Sequence, residues 1–441
     1  MNTPICDFVR RYNDSGALRL HMPGHKGHGE IEKSDITEII GADSLYEADG
    51  IIRESENNAS TLFECPTFYS VEGSSQCIRA MLFLAVKHAK SIGKKPLIAA
   101  GRNAHKVFIS AAALIDFEIL WLYSENDSSY LSCTVSADSL EKVLKENADL
   151  CAVYITTPDY LGNMCDIKAL SEVCKKYGVL LLVDCAHGAY LKFLPQSMHP
   201  MDLGADMCCA SAHKTLPALT GGAYLHTGIK FSNTDVKNAL MLFGSTSPSY
   251  LILASLDKTN VYIAEGYSEI LSCYTKKLSG MRERLKSHGY EIVGCEPMKL
   301  TICPKSYGYT GYELADELSR GGIVCEFADP DYLVLMFTPE ISYSELDKLE
   351  KLLTSIERKM PITERPPALS KAKRVMSVRE ALFSDWETVA CKDSLGKVLS
   401  TASIGCPPAV PIVVSGEMID RSALECFKYY GIKNCTVVRE K

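Results

Sequence analysis

Apolar positions along this chain follow two periods that take turns. The first stretch has helical spacing, with Ile5, Phe8, Val9 and Tyr12 on one face of a helix over residues 5 to 15. Glycines and acids continue through Gly41 and Gly50 and predict a long irregular arm. A largely apolar helix follows Gly73-Ser74-Ser75, carrying Ile78, Met81, Leu82, Leu84, Ala85 and Val86. Short apolar runs then alternate with helical segments. Strands are predicted over Pro96 to Ala100, Phe117 to Leu122, Ala152 to Thr157 and Val179 to Val183. Between them lie helices over Val107 to Leu114, from a cap at Ser136 or Asp138, and over Asp166 to Tyr177. This βαβ rhythm, with strands apolar on both faces, predicts an α/β fold with a mostly parallel sheet covered by helices.

Further along, residues 262 to 287 read as one long helix. A smaller α/β unit is expected from about 290 to 355, with a helix over Tyr312 to Leu318 and a strand over Tyr332 to Phe337. Pro361 to Pro367 is a linker rich in proline and charge. Helical material at Ser377 to Phe383 then leads to a turn stiffened by Pro407 and Pro408, and Pro411 precedes an apolar strand.

Composition narrows the class. A chain of 441 residues divides into two or three domains, and a net charge of -7 argues against a nucleic-acid partner. The 18 cysteines form no CxxC pair and read as reduced thiols, many of them small core residues. No apolar run approaches the eighteen or so residues that span a bilayer, and the start has no secretory pattern. A soluble, cytoplasmic protein with no membrane partner is expected.

Candidate chemistry begins at Ser211-Ala212-His213-Lys214-Thr215, because Lys214 is followed by an uncharged run through Tyr224. Its amine is either desolvated and unprotonated, as carbonyl chemistry requires, or packed by its stem with its head in water. Upstream, the Val179–Val183 strand ends at Asp184, where open α/β sheets place ligands. That acid either pairs with a cationic ligand atom such as a protonated pyridine nitrogen, or caps the next turn. Gly73-Ser74-Ser75 offers free N–H groups and hydroxyls to a phosphate, or an ordinary helix cap. His105 stands in a strand-to-helix loop, placed to stack on a planar ring or to remain a plain surface or core-edge histidine, and His187 carries the same caution, its plain reading being to brace the loop after Asp184. His21, His25, His28 and Glu30 match no zinc spacing, so no metal is expected and a pocket loop is. The hydroxyls of Ser245 to Ser249 reach a phosphate or cap the next helix, and Asp159 either meets a basic substrate end or solvates its loop.

Taken in order, several stretches resemble the ornithine/lysine/arginine decarboxylase family. They are His21-Met22-Pro23-Gly24-His25-Lys26, Gly73-Ser74-Ser75, Arg102-Asn103-Ala104-His105-Lys106, Asp184-Cys185-Ala186-His187-Gly188 and Ser211-Ala212-His213-Lys214. Downstream follow Ser245-Thr246-Ser247-Pro248-Ser249-Tyr250, then Pro407-Pro408-Ala409-Val410-Pro411 with Gly416-Glu417. The resemblance implies an aspartate-aminotransferase-like, pyridoxal-phosphate fold type I. It implies an N-terminal arm and pocket loop (1–55), a cofactor-binding large domain (56–287), a small α/β domain (288–360) and a C-terminal domain (368–441). Lys214 would hold pyridoxal 5'-phosphate as a Schiff base, Asp184 would pair with the pyridine nitrogen and His105 would stack on the ring. Ser74, Ser75, Ser211 and His213 would hold the phosphate, with Thr246 or Ser247 contributing across a dimer interface. His187 would lie near the reacting carbon. The implied activity is decarboxylation of arginine, lysine or ornithine in polyamine biosynthesis, by a homodimer or larger homo-oligomer. Another pyridoxal-phosphate reaction, transamination or carbon–sulfur cleavage, and an inactive cofactor-binding homologue are the alternatives. The chain departs from the family at Glu72, Ser74, Cys185, Ala212 and Ala409, where asparagine, threonine, an acid, threonine and glycine are more usual.

Overall fold

The computed structural model describes residues 1–124, 131–228, 230–368, 371–406 and 410–439. The predicted stiff turn at Pro407, Pro408 and Ala409 lies outside the described residues. Strands and helices alternate as β1 (Thr67–Ser70), β2 (Leu97–Gly101), β3 (Glu118–Leu122), β4 (Leu150–Thr156), β5 (Leu180–Asp184), β6 (Met207–Ala210) and β7 (Ala223–Thr227). The backbone forms two compact units, each built from two chain segments: Met1–Gly93 with Ile167–Ser272, and Lys94–Asp166 with Cys273–Lys441.

In the first unit β5 lies parallel to β6, with Asp184 opposite Cys209. β7 pairs antiparallel with β6 and with β1, so of these four strands it alone runs against the others. Every residue of β5 is buried, which is why its sequence is continuously apolar up to the terminal acid. The helix Gly73–Ser91 packs on β6 and β7. Helices Pro4–Asp14, Ile51–Phe63 and Tyr250–Ala264 pack together, joined by Asp257. One Asp257 oxygen accepts the N–H groups of Ile5 and Cys6 at 3.0 and 3.1 Å, and the other accepts the Ser55 hydroxyl at 2.6 Å. A distant carboxylate thus caps the first helix, where Thr3 makes no side-chain cap.

Two predicted elements differ. Irregular backbone with one 3-10 turn, Glu32–Ser34, does fill the stretch up to Gly50, but the helix Ile51–Phe63 that follows it is absent from the sequence reading. Asn57, Asn58, Ser60 and Thr61 interrupt its apolar stripe, and only Ile52, Ala59 and Phe63 mark the buried apolar face. The single helix predicted over 262 to 287 is two, Tyr250–Ala264 and Tyr267–His288. Gly266 separates them at φ +95°, a left-handed conformation open to glycine at little cost.

In the second unit β2 lies between β3 and β4, parallel to both. An antiparallel sheet follows, β8 (Glu291–Val293), β9 (Lys299–Cys303), β10 (Phe327–Ala328) and β11 (Leu333–Met336), in the order β10-β11-β9-β8. The accompanying helices Gly311–Arg320 and Tyr343–Ser355 each open on a capping box, Thr310 with Glu313 and Ser342 with Glu345. β12 (Trp386–Ala390) pairs with β15 (Asn434–Val438), and β13 (Ser403–Cys406) with β14 (Val410–Val414). A buried ion pair joins distant parts of this unit. Arg102 grips Glu417 with two nitrogens, at 3.0 and 2.7 Å, and donates to the Ile412 carbonyl at 3.1 Å. Two of the family-like stretches, around Arg102 and around Gly416-Glu417, meet in this contact.

Candidate active site

The parallel pairing of β5 and β6 brings the two principal sequence candidates to one end of the first unit. Asp184 ends β5 opposite Cys209, and the chain beyond β6 passes through Ser211 into a single turn of helix, Ala212–Thr215. Backbone bonds tie the two strand ends, from Cys185 N–H to Cys209 carbonyl at 2.9 Å and from Ser211 N–H to Ala186 carbonyl at 3.3 Å. The Asp184 carboxylate is 2% exposed, and one oxygen accepts the Ala186 N–H at 3.2 Å and faces the Cys209 thiol at 3.6 Å. Burial, with the Asp184 charge adding to it, pushes the Cys209 thiol well above its ordinary pKa, so Cys209 stays a neutral donor to the acid. Lys214 Nζ lies 2.9 Å from Nε2 of His187, which is itself buried. The side chain of Lys214 is exposed.

Around this pair, Ser211 occupies the cap position of the Ala212–Thr215 turn, yet its hydroxyl caps nothing. That oxygen is buried and has no hydrogen-bond partner. His213 Nδ1 donates to the Gly222 carbonyl at 2.9 Å, which fixes the tautomer and leaves Nε2 as the other polar atom. Burial lowers the His213 pKa, and the nearby Lys214 charge adds to the shift. Ser74 and Ser75 stand in the first turn of the helix Gly73–Ser91, where backbone N–H groups have no helical acceptor. Gly73 adopts φ +69° and donates its N–H to the Gly221 carbonyl at 2.8 Å.

The part played by Gly221 and Gly222 is missed by the sequence reading. Gly221 holds Gly73, Gly222 holds His213, and a Cβ on Gly221 would lie 2.8 Å from the Val71 carbonyl oxygen. A pair of glycines seven residues beyond the lysine was the only available signal.

Other predicted residues have separate places. Thr246 and Ser247 are exposed in the turn before the helix Tyr250–Ala264. His105 belongs to the second unit and opens the helix Lys106–Ile115, its ring accepting the Val107 N–H at 3.3 Å. Asp159, expected to meet a basic substrate or to solvate its loop, is buried instead. One of its oxygens accepts the N–H groups of Leu161 and Asn163 at 2.9 and 2.8 Å, so it shapes its own turn. In the N-terminal arm, His25 pairs with Asp35 at 3.1 Å, and Lys26 donates to the His21 carbonyl at 2.6 Å.

Comparison with known proteins extends these observations. The sequence profile described as Orn/Lys/Arg decarboxylase, major domain, matches residues 3–293. An arginine decarboxylase of Halalkalibacterium halodurans is 29% identical, covering 96% of this chain and 92% of its own length. Another, from Bacillus subtilis, is 27% identical, covering 95% of this chain and 91% of its own. Among solved structures, the lysine decarboxylase of Francisella novicida superposes with a TM-score of 0.82 at 15% identity, covering 99% of this chain and 81% of that one.

Enzymes of this family depend on pyridoxal phosphate, and the residues present suit it. A buried acid ends β5, an amine meets an imidazole beyond β6, and the Ser211 hydroxyl is buried without a partner. A phosphate oxygen would satisfy that hydroxyl, which otherwise carries the cost of an unmade hydrogen bond. With the profile matching residues 3–293, the chain belongs to the Orn/Lys/Arg decarboxylase family of pyridoxal-phosphate-dependent enzymes.

Proposed function

We propose that the protein decarboxylates arginine, releasing carbon dioxide and agmatine with uptake of one proton at Cα. The observation that carries the chemistry is the 2.9 Å contact between Lys214 Nζ and His187 Nε2, next to the strand that ends at Asp184. The choice of arginine is supported by the two arginine decarboxylases that align over nearly the whole chain.

Pyridoxal phosphate, when bound, supplies the electron sink for the pair left on Cα as the carboxylate departs. Lys214 would be its covalent anchor. The Lys214 amine and the His187 ring, in hydrogen-bond contact, form a pair able to pass a proton toward Cα. Asp184, whose carboxylate is buried at the strand end, would pair with the ring nitrogen of the cofactor. Ser74, Ser75, Ser211 and His213 would hold the phosphate. Thr246 or Ser247 serves the site of a second subunit in a homodimer, which accounts for their exposure in the single chain.

Incubating purified protein and pyridoxal phosphate with arginine, lysine and ornithine separately, each labelled in the carboxyl group, tests the reading. Labelled carbon dioxide and agmatine from arginine, with kcat/KM at least tenfold above the other two, is expected. Release from lysine or ornithine in preference moves the substrate within the class. Bound cofactor with no carbon dioxide from any of the three, and a keto acid or a thiol as product instead, rejects decarboxylation.

A further inference from the structure

The antiparallel register of β1, β7 and β6 sets Thr67, His226 and Cys208 side by side across three strands, since His226 is the direct partner of both Thr67 and Cys208. Side chains alternate along a strand, so Cys208 points to the face opposite that of Cys209, whose thiol meets Asp184. Cys65, two residues before Thr67, falls on the same side as Thr67. His199, from the loop after the 3-10 helix Ala189–Phe193, meets the row. His199, Cys208 and His226 are each 0% exposed.

Each imidazole presents one nitrogen to a thiol. His199 Nε2 lies 3.7 Å from Cys208 Sγ, while His226 Nδ1 meets the Thr67 hydroxyl at 2.9 Å and lies 3.7 Å from Cys65 Sγ. The remaining nitrogens, His199 Nδ1 and His226 Nε2, are buried with no hydrogen-bond partner. One donor atom each from His199, Cys208 and His226 falls within 4.8 Å of the other two, the sole such grouping among the described residues. Zinc bonds of about 2.1 Å to nitrogen and about 2.3 Å to sulfur set neighbouring ligand atoms of a tetrahedron roughly 3.4 to 3.6 Å apart. The His199–Cys208 contact stands close to such an edge, and Cys65 lies beside the grouping, next to the His226 ring.

We propose that His199, Cys208 and His226 bind a zinc-class divalent cation, with Cys65 as fourth ligand, in a site separate from the decarboxylation centre. A divalent ion displaces the protons of both thiols, and two thiolates then cancel its charge, leaving a buried site with no net charge. The ion ties β1, β6 and β7 to the His199 loop. Since β6 runs directly into Ser211 and Lys214, the site would brace the strand that presents them. A metal-free reading exists for the same atoms, in which the thiols simply hydrogen-bond the rings, and stoichiometry separates the two.

The holoenzyme is isolated from zinc-supplemented cells, and bound metal per chain is measured by elemental analysis after gel filtration. A parallel sample is unfolded and refolded with Cd2+, and the ultraviolet thiolate-to-cadmium band is read. About one zinc per chain and a cadmium band are expected in the parent protein. Cys208→Ala and His226→Gln should retain less than a tenth of that metal, while Cys273→Ala, which removes an exposed thiol, should retain all of it. Cys65→Ala should surrender its zinc to a chelator at least tenfold more readily. A parent protein without stoichiometric metal, as isolated and after refolding with zinc or cadmium, overturns the site whether or not the variants fold. Metal retained equally by Cys208→Ala does the same, and unchanged chelator competition in Cys65→Ala removes the fourth ligand.

Discussion

Two lysines of the first unit show what distinguishes a structural amine from one placed for chemistry. Lys237 is buried, and its ammonium sits 2.6 Å from Glu56 Oε1 and 2.6 Å from the Leu45 carbonyl. Both neighbours only accept, so the group is fixed in place by two hydrogen bonds. Lys214 is exposed and meets the His187 ring at 2.9 Å, a neighbour able to give or take a proton. Burial is therefore the wrong guide to reactivity here, and the nature of the partner is the right one. Glu56 shows the strength of the opposing forces, since burial raises its pKa even though the Lys237 charge lowers it.

The widest separation between the two should come from Lys214→Ala. Turnover is expected to fall about 10⁴-fold or more, and the visible absorbance of bound cofactor should vanish. Stability should change by no more than about 0.5 kcal/mol, because the side chain is exposed. A large loss of stability with residual turnover would erase the contrast. Lys237→Met should behave in the opposite way, costing about 3–5 kcal/mol in denaturant unfolding by stranding the Glu56 charge. Adding Glu56→Gln should restore most of that loss, and failure to do so would mean that packing, not the ion pair, dominates.

Asp329 extends the comparison to an acid without a compensating partner at one oxygen. Burial raises its pKa to about 6, and its Oδ2 has no hydrogen-bond partner. Between the unfolded value near 3.8 and about 6, the folded chain holds a proton that the unfolded chain has released. Its contribution to stability is therefore full below that window and is lost as pH rises through it, by at most about 3 kcal/mol. Unfolding of Asp329→Asn measured across this range should lack that part of the slope. The smallest effect is expected from Ser211→Ala. Cofactor affinity should drop about ten- to a hundredfold, the worth of a hydrogen bond to a charged group. The cofactor-free protein should be no less stable, since a buried hydroxyl without a partner is removed.

How much of this was legible follows from how far apart the cooperating residues lie. The strand ending at Asp184 and the turn bearing Lys214 each declare themselves in one short stretch, as an apolar run closed by an acid and a lysine before uncharged residues. Ser136, offered with Asp138 as a cap, proves to be the residue that accepts the Ser139 N–H. The pairing of Lys214 with His187 spans 27 residues and depends on β5 and β6 being neighbours, which periodicity does not give. The same holds for Gly73 with Gly221, and for Cys208 with His226, whose meeting is a matter of strand register. Of the two readings of Asp159, the solvated one fails because its own backbone folds around the acid, which a polar loop sequence does not reveal.

The clasp between Arg102 and Glu417 makes the end of the chain indispensable rather than decorative. A protein shortened ahead of Glu417 would bury a guanidinium with no counter-charge, directly beyond β2. Proteolytic trimming that removes Glu417 should therefore act as an off-switch for folding of the second unit.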